Sequence, residues 1–123
     1  MILFIHGFAS CGLGDKSRLL RDHYAPEPVL APDLPVSPEA AIAELQALLD
    51  THQPELIVGS SLGGFYALWL NRQHPTPAVL INPALQPASL LAAYLGDHHR
   101  WCDGKLLRLT AAHLEQLRAM ERP

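Results

Sequence analysis

The chain has 123 residues, 49% hydrophobic and 17% charged, which suits one cored domain and excludes a disordered tail or two domains. Nine basic against twelve acidic side chains give a formal charge of −3. Nothing therefore marks a nucleic-acid partner, and no apolar run reaches the roughly 18 residues of a membrane span.

The run Met1–His6 is apolar without alternation, as in a parallel strand buried on both faces. It lacks a basic n-region and meets Gly7 at once, so it reads as a strand and not as a leader. Ala9 to Gly14 is small and Gly-rich, hence a loop. Asp15 is expected to cap a helix through about Tyr24, with Leu19, Leu20 and Tyr24 inward. Val29-Leu30-Ala31 is a short second strand. Ser37-Pro38-Glu39 opens a second helix with the N-cap, proline and carboxylate in order, and Ile42, Leu45, Leu48 and Leu49 form its apolar stripe. Leu56–Gly59 is a third strand. The helix from Leu62 to about His74 is apolar nearly all round and belongs in the centre. Ala78–Ile81 is a fourth strand. Ala88–Leu95 reads as a short helix, Asp97–Lys105 as a polar loop, and Thr110–Met120 as a last helix with Leu114 and Leu117 inward. Strands alternating with helices argue a parallel α/β sheet.

One motif carries chemistry. Gly59-Ser60-Ser61-Leu62-Gly63 is Gly-x-Ser-x-Gly between a strand and a helix. In that context the serine sits on a strained turn with its hydroxyl exposed, and the glycines remove side chains that would collide. An oxyanion hole needs two converging backbone N–H donors. Leu62, just after the serine, supplies one, and Phe8, after the first strand, is placed to supply the other. The His6 side chain is expected to hold that loop rather than act as base.

The runs Leu3-Phe4-Ile5-His6-Gly7-Phe8 and Val58–Tyr66 resemble the YqiA/YcfP-type small bacterial esterases, which are α/β-hydrolases. The likeness continues through Leu80–Ala84, Leu90-Leu91, Tyr94–Gly96 and His113-Leu114, with Lys16 also matching. It implies an α/β-hydrolase-like three-layer sandwich, a single domain over 1–123 with a lid-like insert at 87–109. Its four strands would lie in the order second, first, third, fourth, so that Phe8 and Ser61 converge at the switch point. It implies an ester hydrolase with Ser61 as nucleophile, Leu62 and Phe8 as oxyanion donors, a small-molecule ester substrate and no cofactor. Family members continue past the point matching Met120–Pro123 to further strands that bring the catalytic Asp and His. The expectation is therefore an incomplete domain: a fragment, a truncated gene, or a chain whose lost members are replaced. Ala78–Ile81 would then be an apolar edge, leaving the chain unstable alone or paired through it as a homo-oligomer.

His98, His99 and Asp103 follow Ser61 in the right order and stand as substitute base and acid. The cluster Asp97, His98, His99, Cys102 and Asp103 matches no zinc spacing, so no metal is expected. Gly12-Leu13-Gly14 lacks the full phosphate-loop pattern. His23, His52 and His74 sit at helix ends, His113 reads as an anchor, and Trp69 and Trp101 as packing. Two cysteines are too few for a disulfide scaffold, so a reducing cytoplasm is the expected compartment. The competing function classes are a binding or scaffold protein without catalysis, and a thioesterase or acyltransferase on the same serine.

Overall fold

A computed structural model describes residues 1–122. Four parallel strands, β1 (Ile2–Ile5), β2 (Val29–Leu30), β3 (Leu56–Ser60) and β4 (Ala78–Ile81), form a sheet in the order β2-β1-β3-β4. This is the expected order, with β1 and β3 adjacent. The helices are α1 (Asp15–Tyr24), α2 (Pro38–His52), α3 (Leu62–Gln73), α4 (Pro87–Leu91) and α5 (Ala111–Glu121), with a 3-10 turn at Ala92–Tyr94.

The period of two along β1 sorts the core into two layers. Leu3 and Ile5 face α2, α3, α4 and α5, packing with Leu45, Phe65, Leu70, Leu91 and Leu117. Ile2 and Phe4 face the other way, with Val29 and Val58, and meet Leu20 of α1. The result is a three-layer α/β sandwich. Ser37 caps α2 as expected, its Oγ accepting the Ala40 N–H at 3.3 Å. The same hydroxyl donates to Gln116 Oε1 at 3.1 Å, and the Glu39 N–H donates there at 3.0 Å, which ties the start of α2 to α5.

Four expectations need correction. The N-cap of α1 is Gly14, with Asp15 as the first helical residue. Of that helix's expected inner face only Leu20 packs, while Leu19 and Tyr24 are exposed. The expected polar loop is a hairpin, β5 (Gly96–His99) with β6 (Leu106–Leu109), paired antiparallel in a second sheet. Its polarity hid it, because both faces of β5 meet solvent and no apolar alternation is needed. Finally, Cys11 and Cys102 form a disulfide. They are 91 residues apart and become neighbours only when the hairpin tip folds onto the loop after β1. That juxtaposition is invisible to a cysteine count.

β4 is an edge of the sheet, with Ala78 and Val79 exposed. The disulfide closes so long a loop that it constrains the unfolded chain by an amount on the order of 4 kcal/mol. Reduction with dithiothreitol is therefore expected to lower the melting temperature by roughly 10–15 °C. Differential scanning calorimetry with and without reductant, against Cys102→Ser, measures this.

Candidate functional site

Ser61 lies between β3 and α3 with φ 57° and ψ −115°, in a region L side chains rarely occupy. Its surroundings over-determine that conformation. Its N–H donates to the Ile81 carbonyl at 2.9 Å. Its own carbonyl accepts from Gly64 at 3.0 Å, Phe65 at 3.3 Å and Ala84 at 3.0 Å. Ala84 can reach back because Asn82 turns the chain at φ 45°, a conformation asparagine tolerates. The glycine spacing has the expected steric reason. A Cβ on Gly59 would lie 2.3 Å from the Gly63 carbonyl oxygen, and one on Gly63 would lie 2.1 Å from that of Ile5. The side chain of Ser61 stays exposed at the head of α3.

The loop after β1 faces this turn. Gly7 abuts Ser61, so close that a Cβ there would be 3.9 Å from Ser61 Oγ. His6 is buried and fixes the loop to the chain after β2. The Leu34 N–H donates to His6 Nε2 at 2.9 Å, so Nδ1 carries the ring proton and donates to the Gly7 carbonyl at 2.7 Å. Burial holds its pKa below the ordinary 6.5, despite the Gly7 carbonyl and Asp33. Its acceptor nitrogen is thus occupied, and it anchors the loop as expected. The Gly12 N–H donates to Asp33 Oδ1 at 2.8 Å, a second tie to the same segment.

Among the described residues, the N–H groups of Phe8 and Leu62 have no hydrogen-bond partner. Both residues line a cavity of about 20 Å³, roughly one water in size, together with His6, Gly7, Leu34 and Tyr66. A larger cavity of about 320 Å³ lies alongside, lined by Gly7, Ser10, Lys16, Ser60 and Trp101 among others. The first space has room for about one water and the second for a larger group.

The family model of the uncharacterised protein family UPF0227 matches residues 1–123. The chain belongs to this family. It is the YqiA/YcfP-type esterase family, of the α/β-hydrolase superfamily, and is hydrolase-like as a group. The sheet order and the β3–Ser61–α3 turn place its shared motif where that superfamily carries chemistry.

The substitute candidates are dispersed in this UPF0227 chain. The Nε2 of His98 is bonded to the Tyr94 carbonyl, and its ring packs edge-on against Phe8, centroids 5.1 Å apart. His99 Nδ1 meets the Gly104 carbonyl at 3.1 Å. Asp103 accepts from Arg100 Nε and from the Lys105 N–H, each at 3.0 Å. The Arg100 guanidinium first, then the Lys105 N–H, hold its carboxyl well below the usual range. Among the described residues no hydrogen bond joins Ser61 Oγ to a histidine. The group Asp97, His98, His99, Cys102 and Asp103 does not converge; Asp97 instead pairs with Arg108 at 2.7 Å. His113 closes a capping box with Thr110, accepting its N–H on Nδ1 at 3.1 Å. His74 caps α3 near Asp50, at 3.7 Å.

Three contributors were missed from sequence. Asn82-Pro83-Ala84, read only as a family match, supports Ser61 through the Ala84 N–H. Asp33 holds Gly12. Trp101 is 67% exposed and lines the larger cavity, instead of serving as packing alone. The turn-forming Pro32-Asp33 and Asn82-Pro83 pairs were the available signals.

Two outcomes follow from this geometry. Ser61→Gly relieves the left-handed strain and is expected to raise stability by about 1 kcal/mol, read by urea titration. His6 is held neutral when folded, so the unfolded chain takes up its proton first. Its contribution is full above about pH 6.5 and falls as pH drops below that value. Urea titrations at pH 5 and 7.5 should show this slope in wild type and a flatter one in His6→Gln.

Proposed function

We propose that this protein is a serine hydrolase of carboxylic esters that works through an acyl-enzyme. Ser61 Oγ attacks the acyl carbon as a base takes its proton, the carbonyl π electrons move to oxygen, and their return breaks the C–O bond to the leaving oxygen, which receives that proton and departs as the alcohol. Water then attacks the acyl group and frees the acid and the serine. The developing oxyanion is received by the N–H groups of Phe8 and Leu62. A single observation carries the reading: Ser61 is forced exposed at φ 57°, next to Leu62 and against Gly7, while the N–H groups of Leu62 and Phe8 have no hydrogen-bond partner among the described residues. The helix α3 adds its N-terminal dipole there. The substrate's acyl group is assigned to the cavity of about 320 Å³. Relatives in this family draw the acid and base from strands after the segment matching α5, and neither role is assigned to a residue of 1–122. A cytoplasmic setting is part of the reading, and it requires the Cys11–Cys102 disulfide to be of the transient kind. Thioester hydrolysis and acyl transfer use the same steps with a different leaving group or acceptor.

The test is a fluorophosphonate probe followed by mass spectrometry. Labelling is expected on Ser61 and absent in Ser61→Ala. Phe8→Pro removes one donor without touching the serine and is expected to slow labelling by about 10²-fold, with Phe8→Ala near wild type. A folded chain that never labels supports the scaffold reading only where a form extended past residue 123 does not label either, and labelling of that longer form alone identifies a fragment.

A further inference from the structure

We infer that the Cys11–Cys102 disulfide is a reducible latch that holds the β5–β6 hairpin across the larger cavity and so sets how far the cavity proposed for the acyl group opens. The gating part of this inference rests on the proposed hydrolase reading; the latch itself does not.

The two partners of the bond are held very differently. Cys11 is 3% exposed, in a loop secured by His6 to Leu34 and by Gly12 to Asp33. None of these ties involves the hairpin, so the loop keeps its place without the disulfide. The hairpin is anchored at its base, where Leu109 is buried in the core. Its tip, residues 100–105, is otherwise closed on itself, with the Gly104 N–H on the Arg100 carbonyl and the Arg100 N–H on that of Lys105, both 2.8 Å. Beyond the disulfide, the tip reaches the loop through the Trp101 N–H on the Ala9 carbonyl at 3.1 Å and the Cys102 N–H on Cys11 Sγ at 3.2 Å. Just below the tip, the His98 ring leans on Phe8. Ala9 takes φ 56°, a conformation that costs energy for an alanine and persists where contacts hold it.

The latch sits where it matters. Trp101 lines the larger cavity together with Cys11, Gly7 and Ser60. Its ring lies over Gly14 at the head of α1, 3.9 Å from where a Cβ would stand. A tip that swings away takes Trp101 with it and widens that cavity. Phe8 and its N–H stay behind with the loop.

The chemistry is thiol–disulfide exchange with a dithiol. A dithiol thiolate attacks Sγ of Cys102, the exposed partner, and the S–S bond breaks. Cys11 leaves as thiolate and takes up a proton. The second thiol of the reductant then attacks the mixed disulfide and releases Cys102 as a thiol. Two electrons pass to the protein, and the dithiol becomes a disulfide. In a reducing compartment such an accessible bond is the transient, switching kind rather than a permanent brace.

The experiment compares the full chain oxidised, reduced with dithiothreitol, and as Cys102→Ser, with far-UV circular dichroism confirming the fold in each. Amide hydrogen exchange reads the latch without any serine chemistry. Protection over residues 96–109 should fall in the reduced chain well beyond the uniform drop that the lower global stability imposes on β3 and α3. A drop over 96–109 no larger than that of β3 and α3 overturns the latch. A bulky fluorophosphonate should label Ser61 about fivefold or more faster after reduction, a small one within about twofold, and dithiothreitol should leave Cys102→Ser unchanged. If Cys102→Ser does not fold, Cys11→Ala replaces it. Equal rates in both redox states, with the hairpin released, overturn the gate. No labelling in either state removes the serine reading and the gate together, and exchange still decides the latch.

Discussion

The amide and carbonyl of Ser61 take part in four hydrogen bonds, to Ile81, Gly64, Phe65 and Ala84, and most of the site follows from holding that one residue in a conformation it would not choose. The bond to Ile81 ties the turn to β4, and the bond from Ala84 ties it to the chain that leaves β4. The other two start α3. A left-handed serine costs on the order of 1–3 kcal/mol, and each of these bonds offsets about 1 kcal/mol. The strain is therefore tolerated only while β3, α3 and β4 stay in register. The exposed hydroxyl is a consequence of the whole sheet order.

The same constraint explains the glycines. The chain must leave β3 and enter α3 within a single residue, which brings Gly59 against Gly63 and Gly63 against the end of β1. Side chains at those places would meet backbone oxygens, which cannot move aside as a side-chain tip can. Close approach to β1 also brings Gly7 beside Ser61. The loop that follows is then held from the far side by a histidine whose burial favours the neutral ring and whose Nε2 accepts a hydrogen bond from the Leu34 N–H. Two independent restraints, one on each loop, thus set the space between Phe8 and Leu62.

What was legible in the sequence is the part governed by local rules. Ser37-Pro38-Glu39 announced α2, the unbroken apolar run announced β1, and Gly59–Gly63 announced the turn, because cap, burial and steric signals act within a few residues. The sheet order needed the family resemblance as well as the alternation of elements. The hairpin was illegible: β5 reads Gly-Asp-His-His, and its pairing depends on β6 across a turn rather than on any periodic burial. The convergence of Cys11 with Cys102, and of Asp33 with Gly12, depends on where separate loops land after folding. No spacing rule contains that information.

The hairpin is also the element least able to stand by its own packing. A two-stranded ribbon is marginal in water, and here one strand exposes Asp97 and His99 while the other exposes Leu106 and Arg108. The Asp97–Arg108 pair across it is solvent-exposed on both sides, where such pairs contribute little. Only Leu109 at the base enters the core. Holding the tip against the loop therefore requires something other than buried area, and the bond from Cys102 to Cys11 provides it. Because that bond joins a mobile-by-composition ribbon to a loop already secured by its own contacts, its loss releases one partner and not the other. Asymmetry of this kind lets the loss of one bond free a single element of the native fold, even as the unfolded chain gains the freedom of a loop 91 residues long.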